Sequence, residues 1–148
     1  MAVTVLVQMK SRATDADGAK QETSSTSRGS LTLEHGVRVL RFTERLRDGE
    51  GAAVERETEL QLLPDGIRMR QKGGFGFDEV AFRAGERCQA VYHTPFGDMD
   101  MTLRVDQAAC TQTPNGGRIS LRYALEQGDA PTAMELTIRY ARVDGFRA

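Results

Sequence analysis

Met99-Asp100-Met101-Thr102-Leu103-Arg104-Val105-Asp106 alternates apolar and polar side chains without a break, and Arg118-Ile119-Ser120-Leu121-Arg122-Tyr123-Ala124-Leu125 does nearly the same. Successive side chains of an extended strand point to opposite faces, so each stretch turns one face to a core and the other to water. Val3, Val5, Val7 and Met9 repeat the pattern near the start of the chain, and Met134, Leu136, Ile138 and Tyr140 repeat it near the end. The i, i+3, i+4, i+7 spacing of an amphipathic helix is sustained nowhere. The fold class is therefore all-β.

Between these runs stand residues that reverse a chain. His35-Gly36 separates Ser30 to Glu34 from Val37 to Thr43, Pro64-Asp65-Gly66 separates Ala53 to Leu63 from Ile67 to Lys72, and Thr113-Pro114-Asn115-Gly116-Gly117 precedes Arg118. All three are hairpin signals. Arg83-Ala84-Gly85-Glu86, Pro95-Phe96-Gly97 and Gln127-Gly128-Asp129-Ala130-Pro131 add three more turns. Polar Ser11 to Ala19 reads as a mobile loop before a second strand at Gln21 to Ser27, and a single short helix is compatible with 106–112 or with 75–86. The count is about nine or ten strands at the spacing of a sandwich or barrel. Short connections throughout favour a barrel, because a Greek-key sandwich needs a long crossing and an open sheet would leave edges to protect. The expectation is a single antiparallel up-and-down β-barrel of about 8–10 strands, one domain over residues 1–148.

Composition limits the function. Lys+Arg 20 against Asp+Glu 21 leaves a net charge of −1, which argues against a nucleic-acid binder and a polybasic membrane anchor. No apolar stretch is long enough for a membrane helix, and MAVTVLVQMK lacks the flanks of a signal peptide, so a cytoplasmic location is expected. Cys88 and Cys110 lack ligand spacing for zinc and read as reduced, half-buried thiols. With 2 His and no Trp, catalytic material is scarce, and no cofactor or metal is expected.

The remaining candidates have plain structural explanations. His35 and His93 suit solvated turns, although His93, after Val91 and Tyr92, is the better placed of the two to meet a haem iron at a barrel mouth. Glu55, Glu57 and Glu59 alternate with Val54, Arg56, Thr58 and Leu60 as the wet face of a strand, and Thr23-Ser24-Ser25-Thr26-Ser27 is an exposed strand surface without a nucleophile elbow. Gly73-Gly74-Phe75-Gly76-Phe77 lacks the strand and helix of a phosphate loop and reads as a bend that folds Phe75 or Phe77 over one end of the barrel. Arg68, Arg70 and Lys72, with Arg38, Arg41, Arg45 and Arg47 on a neighbouring run, are expected to pair with the glutamates across strands.

Three segments carry a likeness: His93-Thr94-Pro95-Phe96-Gly97-Asp98-Met99-Asp100-Met101, then Gly116-Gly117-Arg118-Ile119-Ser120-Leu121-Arg122-Tyr123, then Met134-Glu135-Leu136-Thr137-Ile138-Arg139-Tyr140. The chain resembles the YwiB-like family of small bacterial proteins of unknown function. That resemblance implies a calycin-type barrel, lipocalin-like in outline, and supplies no activity, cofactor or catalytic residue.

The inward phase suggests a use for the barrel. Tyr92, Tyr123 and Tyr140 share it with Met99, Met101 and Met134, giving aromatic bodies with hydroxyl tips beside adaptable thioethers. A binding module for a small, mostly apolar molecule in the lumen is the leading reading, with these six residues as its lining. The alternative is a structural or protein-interaction module with a filled core. Leu40, Phe42 and Leu46 opposite Val37 and Val39 suggest a covered wall and hence a homodimer.

Overall fold

In the computed structural model, residues 2–47, 50–126 and 130–143 are described. Period-two patterning yields eleven strands: β1 (Ala2–Thr14), β2 (Lys20–Glu34), β3 (Val37–Arg47), β4 (Ala53–Leu63), β5 (Gly66–Lys72), β6 (Gly76–Phe77), β7 (Glu79–Phe82), β8 (Arg87–Thr94), β9 (Gly97–Thr113), β10 (Gly116–Glu126) and β11 (Thr132–Arg142). They form one sheet in the order β6-β8-β9-β10-β11-β1-β2-β3-β4-β5-β7, and every pairing is antiparallel. Consecutive strands are neighbours apart from the β11–β1 pairing and an exchange at the seam, where β6 joins β8 and β7 returns to β5. The result is a nearly closed barrel, as the alternating runs and short turns lead one to expect. Its seam is fastened by the Asp78 N–H donating to the Val91 carbonyl (3.2 Å) and the Phe77 N–H donating to Gln71 Oε1 on β5 (2.8 Å).

The inward phases of the strands build one continuous core. Val5, Leu40, Leu60, Phe82, Leu103 and Ile119 are fully shielded from solvent. The register carries that phase from strand to strand, with Leu31 opposite Leu40, Leu40 opposite Leu60, Leu60 opposite Met69 and Ile119 opposite Ile138.

Several local expectations change. The first strand continues through Ser11 to Thr14, where a loop is expected from composition. Small polar residues can hold a pleat when a partner strand uses them: Ser11 Oγ meets Thr23 Oγ1 at 2.5 Å, and Arg12 Nε donates to Glu22 (2.8 Å). Only 15–19 forms the turn, with Asp15 Oδ1 accepting from the N–H groups of Asp17 and Ala19. Likewise Gln21 to Ser27 and Ser30 to Glu34 are one strand. Gly29 joins them at a close approach to β3, where a Cβ would lie 2.4 Å from the Arg41 carbonyl oxygen.

No helix occurs among the described residues, and 75–86 and 106–112 are strand and turn. Alternation fails at 106–112 because Asp106 is an extra residue: Arg122 pairs with Gln107 and Tyr123 with Val105, a β-bulge after which Ala108 and Cys110 take the inward phase. The expected turns at 35–36, 64–65, 83–86, 95–96 and 114–115 are all present, and the one at 127–131 lies mostly outside the described residues. Leu40 and Phe42 belong to the barrel's own core, while on the opposite phase Val39 is buried within the single chain and Val37 is half-buried.

Candidate functional site

Antiparallel order puts the turns at 15–19, 73–75 and 95–96 together at one end of the barrel, here the far end. Inward positions there are only partly sealed, unlike those at mid-barrel. Tyr92 on β8 faces Met99 on β9, Ala90 faces Met101, and Tyr123 on β10 faces Met134 on β11. Met9, Leu125 and Leu136 complete an apolar wall whose outermost members are half-buried against the core. Tyr92 meets Phe77 edge-on with ring centres 4.9 Å apart, and Tyr123, deeper, lies 5.0 Å from Phe82. Burial above all pushes the Tyr123 phenol up to about 12, so it stays a neutral donor and acceptor.

Tyr92, Met99, Met101, Tyr123 and Met134 thus all lie on inward phases toward the far end, in the cross-strand pairs Tyr92–Met99 and Tyr123–Met134 with Met101 beside Ala90. Tyr140 is not among them. It lies toward the opposite end, where Arg38 Nη1 reaches its hydroxyl at 3.4 Å and Cys110 Sγ lies at 3.9 Å. The Gln112 amide, turned with its oxygen toward Arg38, accepts from Arg38 Nε and Nη1 (2.9 and 3.0 Å). Arg38, three residues before Arg41, shares the inward phase of β3 with Leu40 and Phe42 and so stands apart from the outer stripe of Arg41 and Arg45.

The sequence reading misses the most buried charges in this end. Glu44 on β3 and Arg56 on β4 face each other in the inward phase, 2% and 13% exposed. Arg56 donates from Nε and Nη2 to Glu44 Oε2 (2.7 and 2.5 Å) and from Nη1 to the Phe75 carbonyl (3.1 Å). Beside them Gln71 Nε2 reaches the buried Thr58 hydroxyl at 3.4 Å. A signal existed: Glu44 interrupts Leu40, Phe42 and Leu46, and Arg56 follows Val54 in phase with Leu60. The pairing is legible only once the β3–β4 register is known.

The glycine-rich segment closes over this pair. Gly73 and Gly74 have φ of 88° and 61°, and a Cβ on Gly74 would strike Val54 Cγ1 at 2.4 Å. The bend delivers Phe77 to the core and leaves Phe75 half-buried above Arg56, which is the covering role expected of it. On the outer wall the basic stripes meet the glutamates. Arg41 pairs with Glu34 and Glu59 (2.5 and 2.9 Å), Arg45 with Glu55 (3.9 Å), Arg70 with Glu59 (4.0 Å) and Arg68 with Glu79 (3.4 Å). A groove of about 520 Å³ crosses this wall, lined by Arg28, Arg41, Arg70 and Lys72 against Glu57 and Glu59, so that it is basic on balance. Hydrogen bonds from Arg41 and Thr32 hold the Glu34 carboxyl down to about 2.

His93 is on the outer face of β8. Its Nδ1 lies 2.6 Å from Asp98 Oδ1 and its Nε2 3.2 Å from Asp78 Oδ1, so these carboxylates, Asp98 foremost, raise its pKa. His35 occupies a turn with φ of 53°. Cys88 and Cys110 are free, half-buried thiols, and burial pushes the Cys88 thiol up, away from nucleophilic use. Among the described residues no three His, Cys, Asp or Glu side chains group as metal ligands, and no helix is long and apolar enough to cross a membrane.

With the fold and this end of the barrel described, comparison places the chain. Residues 7–138 match the family described as a domain of unknown function, DUF1934. The chain belongs to the DUF1934 family. The crystal structure of ywiB protein from Bacillus subtilis is similar to this DUF1934 chain over 95% of its length and 92% of the other, with a TM-score of 0.77 at 17% identity. The fold is therefore shared with the protein whose family the C-terminal segments resemble. A structural-genomics protein of unknown function from Bacteroides ovatus aligns with 93% of the chain and 41% of its own, at a TM-score of 0.39 and 10% identity. No curated protein matches the sequence.

Proposed function

We propose that this protein is a binding module for one small, mostly apolar molecule, held in the far end of the barrel rather than along its whole lumen. The observation that carries the reading is the contrast in burial along the inward phase. Along each strand burial falls toward the far end: Leu103, Leu121 and Ile138 are sealed, whereas Met101, Leu125, Met134 and Leu136, and Tyr92 beyond Ala90, are only partly buried against the core. Half-open apolar side chains at the mouth of a barrel form a cup that gains from being covered. Thioethers adapt to an apolar shape, and Tyr92 offers a hydroxyl at the rim. Tyr140 plays no part in this cup and is assigned to the core.

Nile red, a neutral fluorescent dye, tests the proposal. It should bind the native protein at one equivalent and lose at least tenfold in affinity when Met134→Glu sets a charge in the wall. Absence of native-state binding at high micromolar dye contradicts the proposal.

The second reading is a structural or protein-interaction module, and one observation favours it: the mid-barrel core is continuous, with Phe82, Leu103, Leu121 and Ile138 filling it. On that reading the cup is a partner's docking site, a second copy of the chain included. Light scattering on the native protein, giving the dimer mass across working concentrations, would support it.

A further inference from the structure

The Glu44–Arg56 pair sets a condition on what the cup can hold. Glu44 is nine-tenths buried and more, and both donors that reach it, Arg56 Nε and Nη2, converge on Oε2. Arg56 Nη1 is used by the Phe75 carbonyl. Glu44 Oε1 is shielded from solvent and accepts no hydrogen bond among the described residues. It lies in the inward phase of β3, between Phe42 toward the centre and Leu46 toward the far rim. Phe75, whose carbonyl takes Arg56 Nη1 at 3.1 Å, stands two residues before Phe77, whose ring meets that of Tyr92 at 4.9 Å, so the pair borders the Tyr92 side of the lumen.

A buried acceptor without a donor is costly, and its cost is relieved by a donor brought in from outside. The carboxylate and guanidinium already cancel in charge. A ligand head carrying a further charge of either sign would therefore be buried uncompensated, whereas a neutral O–H or amide N–H would meet Oε1 at no such penalty. We propose that the cup selects an apolar chain with a neutral, hydrogen-bond-donating head, donated to Glu44 Oε1, over the same chain ending in a carboxylate or an ammonium. This rests on the reading of the far end as a binding cup.

Displacement of Nile red by 1-decanol, decanoate and decylammonium tests the selection. 1-Decanol should displace the dye at a concentration at least tenfold below either charged analogue. In the apolar replacement Glu44→Leu with Arg56→Met, chosen because well-packed apolar groups can replace a buried pair without loss of fold, the advantage of 1-decanol over decanoate should fall to within about threefold. Decanoate or decylammonium matching 1-decanol on the native protein overturns the selection and leaves the cup standing. A preference for 1-decanol that persists in the double replacement also overturns it, since the preference then does not depend on Glu44 Oε1. Dye binding that none of the three displaces overturns the cup itself. The native-protein comparison is decisive even if the double replacement fails to fold.

Discussion

Glu44 shows how much one buried charge can constrain. Removing one partner of such a pair leaves the other uncompensated, so Glu44→Ala should cost about 3–5 kcal/mol in urea unfolding, while Glu44→Leu with Arg56→Met should stay within about 2 kcal/mol of the parent. Equal losses for the single and double changes would mean that the pair is not coupled. Gly117 is constrained by shape instead, because a Cβ there would lie 2.5 Å from the Tyr140 hydroxyl and 2.7 Å from its Cζ. Gly117→Ala should destabilise by about 1–3 kcal/mol through overpacking, and Tyr140→Phe in the same background, by removing the hydroxyl, should recover part of it. His93 supplies the pH dependence. Its pKa is raised above the ordinary imidazole value of 6.5 by Asp98 and then Asp78, so its contribution is complete below pH 6.5 and is lost as pH rises through the raised folded value. His93→Gln should flatten stability against pH in that window, and NMR titration of the ring should place its midpoint above 6.5.

At the level of strands, period two was legible because nearly every element turns one face to the core and one to water. Where the sequence reading failed, a specific interaction overrode composition. Ser11 to Thr14 looked like loop because serine, arginine and alanine carry little strand preference, yet cross-strand bonds to Thr23 and Glu22 hold them in the sheet. The uncertainty at 106–112 came from the bulge, which shifts the phase by one residue so that no single alternation spans β9. Deleting Asp106 should restore unbroken alternation, with Gln107 following Val105 directly and Ala108 and Cys110 kept on the inward phase. The expected result is a cooperative thermal transition close to the parent's; loss of that transition would show that the bulge itself is required. The hairpin turns needed no such correction, since glycine, proline and asparagine act locally.

For the whole molecule, closure of the barrel brings residues distant in sequence into one end, and this sets the limit of reading by phase. Phase identified Tyr92, Met99, Met101, Tyr123 and Met134 as inward, and their strands carry them toward the far end. It could not tell which end a residue serves, so Tyr140 was grouped with them, and it passed over Glu44 and Arg56 because charge argues for the wet face until the register is known. The central claim is that the far end takes an apolar guest while mid-barrel does not. Methyl-labelled methionine NMR during titration with 1-decanol tests this most directly. The account predicts that the Met99, Met101 and Met134 methyl signals shift together and saturate at one equivalent, with the buried Met69 signal nearly unmoved. Unmoved signals from the three far-end methionines at saturating 1-decanol would contradict it.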